Sequence, residues 1–250
     1  MKRISVVFVM ALTMQWAFSQ QINKVAVVSI YANKAIHPDW NGGLIGSLIQ
    51  LSDNEKFNTQ KIESDLRDMI FTDLAKEFPF EFISQDSIIN NINYQALIKD
   101  PSAFVEAMSA MDASADEPLE GYMMFNYNSN KLEKRLFEIF PEADAIMIVD
   151  LEFYLQGSTL LLNTTVGPAY AKAYANFKLI DKSGKKVMSL RASGLNENDK
   201  VKVAANQIVK NKEFIPDYMN TAIELLFVDI KANLPKKVQK MYKKLSKIYK

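Results

Sequence analysis

His37, Asp150 and Glu152 are the residues of this chain whose types and spacing could carry acid–base chemistry. His37 is the only histidine, in Ala35-Ile36-His37-Pro38-Asp39-Trp40. A Ser–His–Asp triad would have to use it, yet no G-x-S-x-G elbow exists to present a serine. His37 therefore reads as a loop residue beside Trp40 rather than as a base. Asp150 and Glu152 lie two apart in Ala145–Gln156, a strand pattern, and so share one face about 7 Å apart. A carboxylate-based glycosidase could use two acids at that separation. The strand's alternation already asks for a solvent face at both positions, so they read as surface acids. Asn41-Gly42-Gly43-Leu44-Ile45-Gly46-Ser47 has the glycines of an anion-binding loop but lacks G-K-[ST] and the G-x-G-x-x-G spacing. Asn163-Thr164-Thr165 has the form of a glycosylation sequon. No catalytic, cofactor-binding or metal-ligating residue is assigned.

The elements that must position these residues follow a leader. Lys2 and Arg3 precede a 15-residue, mainly apolar run from Ile4 to Phe18, and Ala17 and Ser19 place small residues before a cut. This is the layout of a signal peptide, residues 1–19, cleaved after Ser19 or Gln20. The run is shorter than the roughly 18 residues expected of a membrane span. Without Lys2 and Arg3 the chain has 28 basic and 29 acidic residues, a balance that offers nothing to nucleic acid. Cysteine is absent, which removes thiol chemistry, Cys-ligated zinc and an N-terminal lipid anchor. The expected product is an exported protein, periplasmic or associated with the outer envelope, and not lipid-anchored.

In the body, residues 20–235, Val25–Ile30 is a continuous β-branched run and reads as a buried strand. Residues 31–58 read as a long loop with a short helix around Leu44–Leu51. Ile62, Leu66, Met69, Ile70, Leu74 and Phe78 then form one helical stripe stopped by Pro79. Phe80–Ile83 is a second strand, so the chain opens with a β-α-β unit that favours a parallel pair. Residues 85–120 predict short helices ending in a solvated acidic loop, Asp112–Glu120. Leu132, Leu136, Ile139 and Phe140 mark a further helix closed by Pro141. Ala145–Gln156 starts wholly apolar and ends alternating, as a strand does when it leaves the sheet interior with one wet face. Ala171–Asp181 and Val187–Ala192 flank Lys182-Ser183-Gly184-Lys185 as an antiparallel hairpin. Pro216–Leu234 and the lysine-rich end predict two C-terminal helices. The expected fold is α/β, a mixed sheet with helices packed on it.

With VAVVSI, a Gly-bearing loop, an amphipathic helix, ADAIMIVDLEFY and AYANFKLIDKSGKKV in this order, the chain resembles the envelope superfamily of the TolB amino-terminal domain. That grouping includes the curli-secretion lipoproteins and the lipoprotein activators of peptidoglycan synthases. The likeness spans roughly residues 24–195. It implies binding or assembly in a Gram-negative-type envelope, without catalysis. The missing cysteine departs from the lipoprotein members.

The last segment, residues 236–250, holds seven lysines and no acid, against 21 basic and 29 acidic residues in the rest of the processed chain. Val238, Met241, Tyr242, Leu245, Ile248 and Tyr249 form its apolar stripe. Such a basic amphipathic helix either packs on its own sheet or lies on an anionic membrane or acidic partner. Candidate contacts are therefore Trp40, Leu44 and Ile45 in the loop and Lys240, Lys244 and Lys247 in the helix. The first expectation is a non-enzymatic envelope protein that binds another envelope component. The alternatives are a secreted carboxylate hydrolase and a peripheral membrane protein attached by its C-terminal helix.

Overall fold

A computed structural model describes residues 22–38, 49–50, 56–108, 116–125, 130–157, 160–161, 164–165, 167–204 and 207–248. In chain order it runs β1 (Lys24–Pro38), β2 (Ile49–Gln50), α1 (Thr59–Met69), β3 (Glu81–Phe82), α2 (Gln85–Ile89), α3 (Ile92–Ile98) and α4 (Pro101–Met108). Then come β4 (Asp116–Pro118), α5 (Asn130–Ile139), β5 (Ala145–Gly157), β6 (Leu160–Leu161), β7 (Thr164–Thr165), β8 (Gly167–Asp181), β9 (Lys186–Ala204), β10 (Gln207–Lys210) and α6 (Ile215–Ile248). The main sheet has the order β10-β9-β8-β5-β1-β2, with β3 and β4 also paired to β1.

The fold is the expected mixed α/β sheet. β1 runs parallel to both β3 and β5, and α1 supplies the crossover between β1 and β3. From β5 onward the ladder is antiparallel through β8, β9 and β10. The hairpin turn is built by Asp181, whose Oδ1 accepts from the Ser183 and Lys185 amides, while Gly184 takes a positive φ of 78°. Every position from Ala145 to Leu151 is buried, so that half of the sheet is covered on both faces; from Glu152 alternate residues are half-exposed. The stripe of α1 is buried through Ile62, Leu66, Met69, Ile70 and Leu74, and the Asn58 side chain caps its start by accepting from Lys61 N. Its last turn, Ile70–Leu74, is π-helical.

Four expectations need correction. The loop predicted from residue 31 is strand as far as Pro38, because β5 offers it a parallel partner. The register is kept by two extra residues on β1 between Ala32 and Ile36, where Asn33 Oδ1 accepts the Ala35 amide at 2.8 Å. The helix predicted around Leu44–Leu51 is strand at Ile49–Gln50; its other residues lie outside the described ones. The acidic segment is not all solvated loop, since Asp116–Pro118 adds to the edge of β1 and Leu119 is buried. At the C-terminus one helix replaces two. α6 continues through Pro235, which costs a backbone hydrogen bond, because Leu234, Pro235 and Val238 are all buried in one line against the core. Its apolar stripe is spent on the protein itself as far as Tyr242, whose hydroxyl donates to the Ile22 carbonyl at 3.1 Å; the side chains of Leu245 and Ile248 lie outside the described residues. No described helix is long and apolar enough to cross a membrane.

Candidate functional site

The register of four strands brings the acid–base candidates onto one patch of the sheet. β1 and β5 set Tyr31 beside Asp150 and His37 beside Tyr154. β5 and β8 set Asp150 opposite Asn176 and Glu152 opposite Tyr174, and β9 places Arg191 opposite Asn176. His37 is thus a strand residue, its ring 5.7 Å from that of Tyr154, and not a loop residue as its neighbours in sequence suggested.

Asp150 departs most from expectation. Its position should have been wet, yet the residue is 2% exposed. The covered half of β5 extends one alternation further than the sequence pattern shows, and a charge there survives only because it is paired. Asp150 Oδ2 accepts from Asn176 Nδ2 at 2.6 Å and Oδ1 lies 2.8 Å from Lys178 Nζ. Asn176 Oδ1 in turn accepts from Arg191 Nε at 2.6 Å. Arg191 Nη2 reaches Glu152 Oε2 at 3.2 Å, and the Tyr154 hydroxyl donates to the same oxygen at 3.3 Å. Glu152 is half-exposed, as expected. The network is therefore a relay from Lys178 through Asp150, Asn176 and Arg191 to Glu152 and Tyr154.

Aromatic rings frame it. Tyr154 and Tyr174 meet edge to face at 5.4 Å, and Tyr174 has Arg191 at 4.6 Å and Lys172 at 4.9 Å from its centroid. Burial, and then the Asp150 charge, hold the Tyr31 hydroxyl far above the usual tyrosine range. Tyr154 is pushed up to about 12, first by burial and then by Glu152. Both hydroxyls stay protonated at neutral pH and act as hydrogen-bond groups, not as bases. Chemically the patch is a set of counter-ions: each carboxylate already has a cation and a donor on it. A cleft of about 570 Å³ lies elsewhere, between α1 and the turn at Leu119–Gly121, and its lining includes neither carboxylate. Among the described residues no group of three or more His, Cys, Asp or Glu is placed to hold a metal ion.

Two ionisable residues went unnoticed in the sequence. Glu63 is fully buried where α1 meets β1 and β4; burial, and then the neighbouring Glu117, push it up to about 9, against the pull of Lys34. Glu117 itself is ion-paired with Lys34 and accepts from Thr59 Oγ1 at 2.8 Å. The available signal was spacing, since Thr59, Glu63, Leu66 and Ile70 share one helical face. Glu133 on α5 is buried against the hairpin turn near Asp181 and pushed up to about 7, mainly by burial. Of the candidate contact residues, Lys240 and Lys244 are exposed on α6. Lys247 belongs to α6 by its backbone, while its side chain lies outside the described residues, as do Trp40, Leu44 and Ile45.

No family model matches the chain, and no curated protein matches it in sequence. Solved structures resemble it distantly. A lipoprotein from Neisseria meningitidis matches 82% of this chain and 99% of its own length at 13% identity, with a TM-score of 0.34. A neuraminyllactose-binding hemagglutinin homologue from Helicobacter pylori matches 91% of each chain at 12% identity and TM-score 0.34. A hypothetical protein from Chlamydia trachomatis matches 87% of this chain and 98% of its own at 10% identity and TM-score 0.36. At this level of likeness neither a family nor an activity transfers to the chain.

Proposed function

We propose that the chain is an exported, non-enzymatic protein of the cell envelope that binds or assembles with another envelope component. The observation that carries this reading is the pairing at Asp150 and Glu152. A general acid or base must be reachable and able to exchange its proton. Asp150 is enclosed between Asn176 and Lys178, and Glu152 is bound by Arg191 and Tyr154. The leader-like first 19 residues and the resemblance to the TolB amino-terminal superfamily support the envelope placement. The absence of cysteine supports a protein held there without an N-terminal lipid.

A second reading rests on one specific observation: His37, Tyr154 and Glu152 share the half-exposed part of the patch. In it, Glu152 serves a secreted hydrolase as the working carboxylate. The two are separated by His37→Ala combined with Glu152→Gln, tested by complementation of a deletion strain with circular dichroism as the folding control. Retained complementation supports the binding reading. A variant that folds normally but behaves as the deletion overturns it. Intact-mass measurement of the exported protein tests the compartment: loss of the first 19 or 20 residues is expected, and a chain retaining Met1 in the cytoplasm contradicts export.

A further inference from the structure

We infer that the outward face of α6 is a docking surface for an anionic phospholipid membrane. Val228, Ala232, Lys236, Lys240 and Lys244 recur every four residues and are all exposed, Val228 at 64%. At 1.5 Å and about 100° per residue the row is about 24 Å long and winds gradually round the helix, with Lys236, Lys240 and Lys244 within about 80° of one another. It lies opposite the stripe of Leu234, Val238 and Met241 that packs on the core. The lysines therefore point away from the protein, and the helix cannot roll over to insert its buried stripe. Lys237, to one side, is committed inward to the Arg191 carbonyl at 3.2 Å.

The chemistry favours a lipid surface over an acidic protein. Stable protein interfaces are anchored by aromatic, Met and Arg side chains in pockets and are depleted in lysine. Here the last 15 residues carry seven lysines and no arginine, and of their two tyrosines Tyr242 is directed to the core at the Ile22 carbonyl. A row of flexible ammonium groups on a convex helix suits a plane of phosphates, and Val228 and Ala232 add an exposed apolar end that suits the headgroup boundary. Residues 20–235 carry 21 basic and 29 acidic residues, so the body is repelled by the surface that attracts the helix. That opposition orients the molecule with α6 toward the membrane and the tyrosine-lined patch free for a partner. The inference rests on the envelope reading for its biological setting, but not for its physics.

The test is cosedimentation of the purified protein with vesicles of phosphatidylglycerol in phosphatidylcholine, beside phosphatidylcholine alone. Binding to the anionic vesicles only is expected, weakening as salt is raised through the range where exposed charges are screened. Each lysine near such a surface contributes about a fivefold factor in partitioning. Lys236→Gln, Lys240→Gln and Lys244→Gln together should therefore weaken binding by roughly a hundredfold, with circular dichroism unchanged. Equal binding by that variant, equal binding to neutral vesicles, or no binding to anionic vesicles alongside capture on a polyglutamate matrix would each overturn the inference. Because the assay is done in vitro, its failure leaves the export reading standing. An unprocessed N-terminus would refute export without touching the lipid result.

Discussion

Gly194 of β9 and Ala222 of α6 meet backbone against backbone. A methyl group at Gly194 would overlap the Ala222 carbonyl oxygen and the Leu226 amide nitrogen, so no side chain can yield. The contact sets how closely α6 lies on the sheet. The same docking is secured further along by Asp229, whose carboxylate accepts the Ser193 amide at 3.2 Å, while Lys231 ties α6 to the helical turn Ile70–Leu74 through Asp73 at 2.8 Å. Gly194→Ala should destabilise the protein by about 3 kcal/mol, the upper end for overpacking, because the relief must come from shifting a helix. A urea melt checks it; a midpoint unchanged from wild type would mean that α6 is not seated as described.

Ile148 tests the other side of the sheet. It is fully buried in the half of β5 covered on both faces. Ile148→Asp places a second carboxylate there, opposite Lys178, whose ammonium is already committed to Asp150 two residues on. The cost should be several kcal/mol, against a typical total stability of about 5–15 kcal/mol. Folded protein should disappear from expression, and a thermal midpoint within a few degrees of wild type would contradict the double-sided burial of this strand.

These two elements show what the sequence could and could not reveal. Ile146–Val149 was legible because burial on both faces leaves an unbroken apolar run, and the β8–β9 hairpin because alternation and Ser183-Gly184 are local signals. The strand character of Tyr31–Pro38 was hidden, since Asn33 and Lys34 look like loop residues until β5 supplies the pairing and Glu117 the counter-ion. Asp150 was misjudged for a related reason. Alternation tells which face a residue is on, but not where along the strand that face becomes covered. The patch itself depends on cross-strand register between residues more than a hundred positions apart, such as His37 and Tyr154, which no local pattern carries.

Glu63 makes stability depend on pH. Its folded pKa is raised to about 9, chiefly by burial and then by Glu117, while an unfolded glutamate titrates near about 4.3. In the interval the native state holds a proton that the unfolded state has released. Stability therefore falls as pH rises from about 4.3 toward 9, with no contribution below that window. Glu63→Gln keeps the shape and removes the titration. The variant should match wild type near pH 4 and exceed it increasingly at neutral pH, by an amount on the order of a few kcal/mol. Denaturation curves across this range decide it; a constant difference between the two proteins would show that Glu63 ionises as freely when folded as when unfolded.

Lys178 and Arg191 are the two cations of the ionic relay and should differ in energetic weight. The Asp150 side chain is 3% exposed, so Lys178→Met leaves a carboxylate enclosed with only the Asn176 amide on it, a loss of about 3–5 kcal/mol. Arg191 is exposed, its side chain at 53%, and its pair with Glu152 is a surface ion pair worth about 0–1 kcal/mol. Its contact with the Tyr174 ring adds about 0.5–1 kcal/mol, and its hydrogen bond to the Asn176 Oδ1 about 1 kcal/mol more. Arg191→Met should thus cost less than Lys178→Met. Adding Asp150→Asn to Lys178→Met should restore most of the loss, because the enclosed charge is then gone. Urea melts of the single and double variants measure all three quantities. If Arg191→Met proves the more damaging, the relay is anchored at its exposed end, and Glu152 is then held by more than a surface pair. That outcome would send attention back to Glu152 as a positioned carboxylate, where Glu152→Gln, with its fold intact, separates a structural counter-ion from a working one.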